Sequence, residues 1–186
     1  MRTICATLVL GVAACGMIPA GCASAPKSSR LSVDDIEFTA KELAAKLADS
    51  RLLRERTAES PRMVVAIDKV ENLSNDLIPE SDQWYMMVRV RNSQSMESLR
   101  RLRNIVFVVP AEKARSGVTE FDREFTSGRR PTHVMSATYT SAVRTAGKDR
   151  TDAYMCELRM TDIDTREVVF ADSVEFKKVA FGKAYD

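Results

Sequence analysis

The chain has 186 residues, of which 45% are hydrophobic and 29% are charged, and its 28 basic and 26 acidic side chains give a formal net charge of +2. This composition is ordinary for a globular protein, and so small a net charge gives no reason to expect a nucleic-acid partner. About 150 residues follow the N-terminal segment, which is the length of one domain with a sizeable core.

The N-terminal segment has the pattern of a secretory signal peptide. Arg2 precedes an apolar run from Ile4 to Ile18 that is too short to span a bilayer, and small residues follow it. Ala20-Gly21-Cys22 supplies the small residues and the thiol that lipid attachment requires, although Pro19 stands where bacterial lipoproteins usually have Leu. We therefore predict a lipoprotein signal peptide at 1–21, a palmitate-bearing Cys22 with a short tether at 22–33, and one domain at 34–186.

Two alternatives to Cys22 remain open. Cys15 is a rival lipidation site with a better residue three positions before it but a shorter apolar run, and an ordinary signal peptide cut near Ala23-Ser24-Ala25 would leave no lipid. Ala23 and Ser24 follow Cys22 without an Asp, which resembles outer-membrane sorting, so the predicted location is the outer membrane, facing the periplasm. Cys156 is then the single cysteine of the domain, which predicts that no internal disulfide forms.

The first predicted element is a helix. Ser32 and Asp35 can form a capping-box-like start, and Ile36, Ala40, Leu43 and Leu47 follow at helical spacing, so this helix is expected to run to about Leu53. Met63 to Ile67 reads as a strand buried on both faces, and the polar segment 71–76 reads as a turn. Residues 80–91 fit either a helix or a strand, and Pro79 favours the helix.

Further elements follow in the second half of the chain. Residues 96–102 predict a short helix, 104–110 a buried strand, and 118–125 another helix. Residues 133–143, 154–162 and 168–176 read as three strands joined by turns, with Tyr154, Cys156, Leu158 and Met160 on the inner face. The order predicts an α+β (α/β) fold in which helices pack on a small mixed sheet that ends in an antiparallel three-strand meander.

Several motifs resemble one family. Pro61 to Ile67 followed by Val70-Glu71-Asn72-Leu73-Ser74 is similar to the first strand and N-x-[ST] loop of the LpoB-like lipoproteins. The segments 132–138, 154–162, 164–170 and 175–178 resemble that family's closing meander. The likeness covers nearly all of the mature chain, and its motifs are moderately specific because strand and turn residues dominate them.

The resemblance implies a fold like the N-terminal domain of TolB and a role as a lipoprotein that activates a penicillin-binding protein in peptidoglycan synthesis. The partners it implies are an envelope protein of this kind and, through the lipid, the membrane. The chain departs from the family in its tether, because only 11 residues separate Cys22 from Asp34 where the family has a long proline-rich segment. Fully extended they reach about 35 to 40 Å, which places direct contact with an inner-membrane synthase in doubt.

No catalytic, metal or cofactor site is predicted. His133 is the single histidine and lacks a partner motif, and the seven glycines form no phosphate-binding loop. The partner-binding residues are expected to be Asn72, Ser74, Asn75 and Trp84, which form a strand-end loop and the start of the following element, together with the exposed side of the meander. A turn stabilised by its own side chains is the competing interpretation of Asn72 to Asp76.

Two other functions stay open at this point. A structural or secretion-assembly subunit, similar to curli-secretion lipoproteins, would need long membrane-spanning hairpins of alternating residues, and no segment shows that pattern. A hydrolase would need a polar pocket that the sequence does not indicate.

Overall fold

The computed structural model describes residues 28–108, 130–146 and 149–181. Five strands form one sheet in the order β2-β1-β3-β4-β5. β1 is parallel to both β2 and β3, whereas β3, β4 and β5 are antiparallel neighbours. The elements of the described residues are α1 Val33–Ala48, α2 Arg51–Arg54, β1 Met63–Leu73, α3 Glu80–Arg91, α4 Gln94–Leu102, β2 Ile105–Val108, β3 His133–Ala146, β4 Asp149–Asp162 and β5 Val168–Phe181.

This architecture confirms the predicted fold class, with helices on a mixed sheet that ends in an antiparallel meander. The main core lies between the helices and one face of the sheet. The inner face predicted for β4 is also confirmed, because Tyr154, Cys156, Leu158 and Met160 are all buried. The predicted helix at 118–125, the signal peptide, Cys15 and Cys22 lie outside the described residues.

The start of α1 agrees with the capping-box prediction. The Ser32 hydroxyl accepts from the Asp35 amide, and the Asp35 carboxylate accepts from the Ser32 amide at 2.7 Å. The prediction of one helix to about Leu53 is wrong, because α1 ends at Ala48. Ser50 is extended, with ψ of 151°, and its hydroxyl accepts from the Leu53 amide, so it caps the separate short helix α2.

Residues 80–91 form a helix, as Pro79 indicated. Pro79 is the N-cap residue of α3, Glu80 and Asp82 lie in the first turn, and Met86, Met87 and Val90 are buried on one side. The polar turn predicted from residue 71 begins later, because β1 continues to Leu73. Pairing with β3 carries the strand on, after a register shift between Ile67 and Val70.

The outer strand β5 is bound to α1 by hydrogen bonds and by an aromatic contact. Lys46, in the last turn of α1, donates to the Asp172 carboxylate at 2.7 Å and to the Ser173 carbonyl at 2.8 Å. The ring of Phe38, also on α1, meets Phe176 edge-on with 6.4 Å between ring centroids. α1 therefore lies across the core and reaches the edge of the sheet.

Candidate functional site

The loop between β1 and α3 holds three of the residues predicted to bind a partner. The Asn72 side-chain amide donates to the Asp76 carbonyl at 2.7 Å. Its carbonyl oxygen accepts from the Ser74 amide at 3.0 Å and from the Ser74 hydroxyl at 2.7 Å. Asn72 and Ser74 are half-buried and hold the turn, as the competing interpretation proposed, so the loop has a defined conformation.

Two leucines of this region are exposed, which the sequence reasoning missed. Leu77 keeps 93% of its surface exposed and Leu73 keeps 60%. Asn75, between them, is also exposed, and its amide donates to the Ser141 hydroxyl at 2.9 Å, which ties the loop to β3. The signal in the sequence was a polar turn with a leucine on each side, a pattern that equally suits two core anchors.

This loop is continuous with the open face of the meander. The open face is the side of the sheet opposite the helices. Leu73 pairs with Thr140, Thr140 with Met155, and Met155 with Glu175, so these four residues form one row across β1, β3, β4 and β5. A shallow groove of about 560 Å³ adjoins this row, lined by Thr140, Ser141, Ala142, Ala153, Tyr154, Met155, Glu175, Phe176 and Lys177. The two places predicted for partner binding are therefore continuous.

A second groove, of about 580 Å³, lies between β1 and the start of α3. Asn72, Leu77 and Gln83 line it together with Ser136 and Thr138 of β3. Lys69, at its wall, forms an ion pair with Glu80 at 3.1 Å. Both the apolar side chain of Leu77 and hydrogen-bonding groups are thus available at one place.

Trp84 belongs to a different part of the surface. It is half-buried and packs against the main core from α3, on the helix side of the sheet. The neighbouring Tyr85 is the exposed aromatic residue, its hydroxyl donating to the Glu37 carboxylate and its ring lying 6.0 Å from the Arg89 guanidinium carbon. The structure brings Asn72, Ser74 and Asn75 together in the loop, whereas Trp84 lies on α3 against the core.

A further cluster, absent from the predictions, involves residues 28–31, which we call the strap. The Ser29 hydroxyl donates to the Asp152 carboxylate at 2.6 Å, and both residues are buried. The Leu31 amide donates to the Asp76 carboxylate at 2.7 Å. The Tyr154 hydroxyl lies 2.6 Å from that carboxylate and 2.9 Å from the Ser29 carbonyl, and burial raises its pKa. The strap is therefore part of the folded domain.

Basic residues complete the strap cluster. Arg150 Nε donates to both Asp152 carboxylate oxygens, at 3.0 and 2.9 Å. Lys178 donates to the Arg30 carbonyl and to the Asp35 carboxylate. Burial acts to raise the pKa of Asp35, but hydrogen bonds from Lys178 and Ser32 outweigh it and lower that pKa. Each of these carboxylates has a cationic partner that offsets the cost of its burial.

His133 and Cys156 occupy structural positions. Burial lowers the pKa of His133, whose Nδ1 lies 2.8 Å from the Thr132 hydroxyl and whose Nε2 lies 3.6 Å from Asp162. Burial raises the pKa of the Cys156 thiol, so it is protonated and a poor nucleophile. Within residues 28–108, 130–146 and 149–181, no group of three or more potential metal ligands occurs, and no helix is long and apolar enough to cross a membrane.

Comparison with known proteins found similar chains among solved structures. No protein-family model matches the sequence, and no curated protein matches it either. The chain is similar to the LpoB C-terminal domain. The structure from Salmonella enterica shares 13% identity over 76% of this chain and 98% of its own, with a TM-score of 0.45, and the Escherichia coli structure shares 10% over the same fractions, with a TM-score of 0.46.

Lipoprotein GNA1162 from Neisseria meningitidis is also similar to the chain. It shares 14% identity over 63% of this chain and 83% of its own, with a TM-score of 0.39. The LpoB structures belong to the family whose motifs the sequence resembles.

Proposed function

We propose that this chain is a non-enzymatic lipoprotein of the bacterial outer membrane that faces the periplasm and binds another envelope protein. The observation that carries the proposal is the loop bearing Leu73 and Leu77, two exposed leucines at the edge of a groove and an open sheet face. Exposed apolar anchors beside hydrogen-bonding groups are typical of protein interfaces.

The conformation of the loop favours binding. The Asn72 side chain holds the turn through Ser74 and Asp76, and the Asn75 amide is fixed to Ser141. A loop that is already ordered loses little conformational entropy when a partner docks, so more of the contact energy appears as affinity. In the proposed surface the leucines supply apolar contact, and Asn72, Ser74 and Asn75 supply polar contact. Trp84, which the sequence placed with them, packs against the core from α3, so its part in binding is tested separately below.

The partner class comes from the family motifs in the sequence. The LpoB-like resemblance of residues 61–74 and of the meander suggests a penicillin-binding protein, whose peptidoglycan synthesis the bound domain would regulate. The lipidated cysteine is proposed to be Cys22, on the strength of the signal sequence. With no catalytic role assigned to any described residue, the activity of the chain is expected as a change in the activity of its partner.

The experiment is a binding assay between the full mature chain and purified penicillin-binding proteins from the same organism. The double variant Leu73→Ser with Leu77→Ser should weaken binding about ten-fold or more, because each leucine is expected to contribute about 1 kcal/mol. Leu102→Ser is the matched control, since Leu102 is 62% exposed and lies on α4, away from the loop. Equal affinities for the two variants would refute the proposed surface.

A second measurement separates the two possible roles of Trp84. If it contacts the partner, Trp84→Ala should weaken binding by about 2 kcal/mol or more, whereas a purely structural Trp84 would lower the melting temperature and leave affinity unchanged. The latter result would remove Trp84 from the surface while leaving the loop in place. Detectable hydrolase activity of the isolated chain would contradict the non-enzymatic proposal.

A further inference from the structure

The strap shortens the tether that the sequence predicts. Residues up to Asp34 were expected to be free, but Ser29 and Leu31 are bound to the sheet and to the loop by hydrogen bonds of 2.6 and 2.7 Å. With lipid at Cys22, as in the proposed function on which this inference rests, six residues, 23–28, separate the lipid from Ser29. Fully extended, six residues reach about 20 Å, half of the earlier figure.

The position of the strap determines which end of the domain lies nearest to the lipid. Ser29 contacts Asp152 and Tyr154 in the first half of β4, where β3, β4 and β5 extend past the end of β1. We call this region, comprising the described residues 28–31, 141–145, 150–154 and 176–180, the hairpin end. The other end of β4, at Asp162, lies eight residues beyond Tyr154, about 26 Å away at the usual rise per residue. The tether is too short to bring that far end to the membrane.

The hairpin end is basic. It contains five basic side chains, Arg30, Arg144, Arg150, Lys177 and Lys178, and the buried acidic Asp152. Two further acidic residues adjoin it, Asp149 at the start of β4 and Asp76, whose carboxylate accepts from the strap. Asp152 is bound by Arg150, and Lys178 is bound to Asp35 of α1. No ion pair found among the described residues involves Arg30, Arg144 or Lys177, all of which are exposed. Glu175, on the same face of β5 as Lys177, is the exposed acidic residue closest along the strand.

We propose that the hairpin end lies directly on the membrane that holds the lipid, with Arg30, Arg144 and Lys177 against anionic phospholipid headgroups. Charge complementarity and the short tether both favour this contact, because a cation near an anionic lipid surface is attracted within about a Debye length. The hairpin end shares Ser141, Tyr154 and Lys177 with the groove of the open face, so the membrane contact borders the proposed partner surface.

The test uses the full lipidated chain in vesicles that carry a quencher on their headgroups. A fluorophore is attached at Thr145→Cys in the hairpin end or, as the matched control, at Thr165→Cys in the β4–β5 turn; both threonines are exposed, and the native Cys156 is buried. We expect strong quenching at position 145 and little at position 165 in vesicles of phosphatidylglycerol and phosphatidylethanolamine. Equal quenching at the two positions would overturn the proposal.

Charge variants provide the second arm. Arg144→Gln with Lys177→Gln should lower the fraction of molecules quenched at position 145. Each cation removed should reduce the equilibrium constant for contact between the hairpin end and the membrane about five-fold. Lys41→Gln with Arg101→Gln removes two exposed cations from the helices and should have no effect. Unchanged quenching in the variant with Arg144→Gln and Lys177→Gln would also overturn the proposal. Loss of the chain from the membrane fraction altogether would instead contradict lipidation, so the two failures are distinguishable.

Discussion

Tyr139 and Tyr154 offer a matched pair of substitutions that tests the packing of the domain. They lie on neighbouring antiparallel strands and are 1% and 2% exposed. The Tyr154 hydroxyl has two acceptors in reach, the Asp76 carboxylate and the Ser29 carbonyl. The Tyr139 hydroxyl lies beside Thr39 and Cys156 but forms no hydrogen bond with any described residue. Substitution by Phe should therefore destabilise the domain at position 154 but not at position 139.

The magnitudes follow from the hydrogen bonds. Tyr154→Phe removes a hydrogen bond to a charged acceptor, which contributes about 1.5 to 3 kcal/mol, and leaves Asp76 with the Leu31 amide as its donor. Tyr139→Phe removes a buried hydroxyl whose desolvation is uncompensated, so the free energy of unfolding should stay constant or rise by about 1 kcal/mol. The free energies of unfolding of the two variants should differ by about 1.5 kcal/mol or more.

Urea unfolding of the two variants measures this difference, with unchanged m-values showing that the change lies in stability. Amide hydrogen exchange adds a local readout, because loss of the Tyr154 hydroxyl should speed exchange at Leu31, whereas Tyr139→Phe should leave that amide protected. A Tyr139→Phe variant that loses more than about 1 kcal/mol while Tyr154→Phe loses nothing would refute the assignment of partners.

Three other predictions concern single residues. Cys22→Ala should abolish palmitate labelling and release the chain from membranes, and labelling lost only in Cys15→Ala would move the site. Cys156 should resist thiol reagents in the folded state and react on unfolding, and Cys156→Ser should cost about 1 to 3 kcal/mol. Because burial lowers the pKa of His133 despite Asp162, the folded state binds fewer protons there than the unfolded state. The free energy of unfolding should fall as pH drops through the ordinary histidine range and level off below the folded pKa; His133→Gln should remove that component, and an unchanged profile would contradict it.

The sequence predicted those features that depend on local periodicity. The alternation from Tyr154 to Met160 identified the inner face of β4, and the spacing from Ile36 to Leu47 identified the buried face of α1. Periodicity also caused the error at the end of α1, because apolar residues continue to Leu53 across the Ser50 cap. A local capping signal interrupted a helix that the hydrophobic pattern alone would have continued.

The strap could not be predicted in this way. Ser29 lies 123 residues from Asp152 and 125 residues from Tyr154, and a serine in a polar segment carries no sign of burial. Only the register of β4, together with the path of the chain into α1, brings these groups together. The exposure of Leu77 was missed for the converse reason, since an isolated leucine is expected to be buried and its exposure depends on the tertiary fold.

The contact between Lys46 and β5 affects whether two copies of the chain can pair along their sheets. β5 is a 14-residue outer strand, and a strand with free amides and carbonyls can pair with the same strand of another copy. Lys46 occupies the Ser173 carbonyl and places an ammonium group at the middle of that edge, and the exposed Lys177 adds a second like charge. Two copies approaching edge to edge would have to bring these cations together and break the Lys46 contacts. The first helix thus disfavours pairing of β5 with a second copy, which would matter most if the proposed lipid anchor concentrates the chain on a membrane.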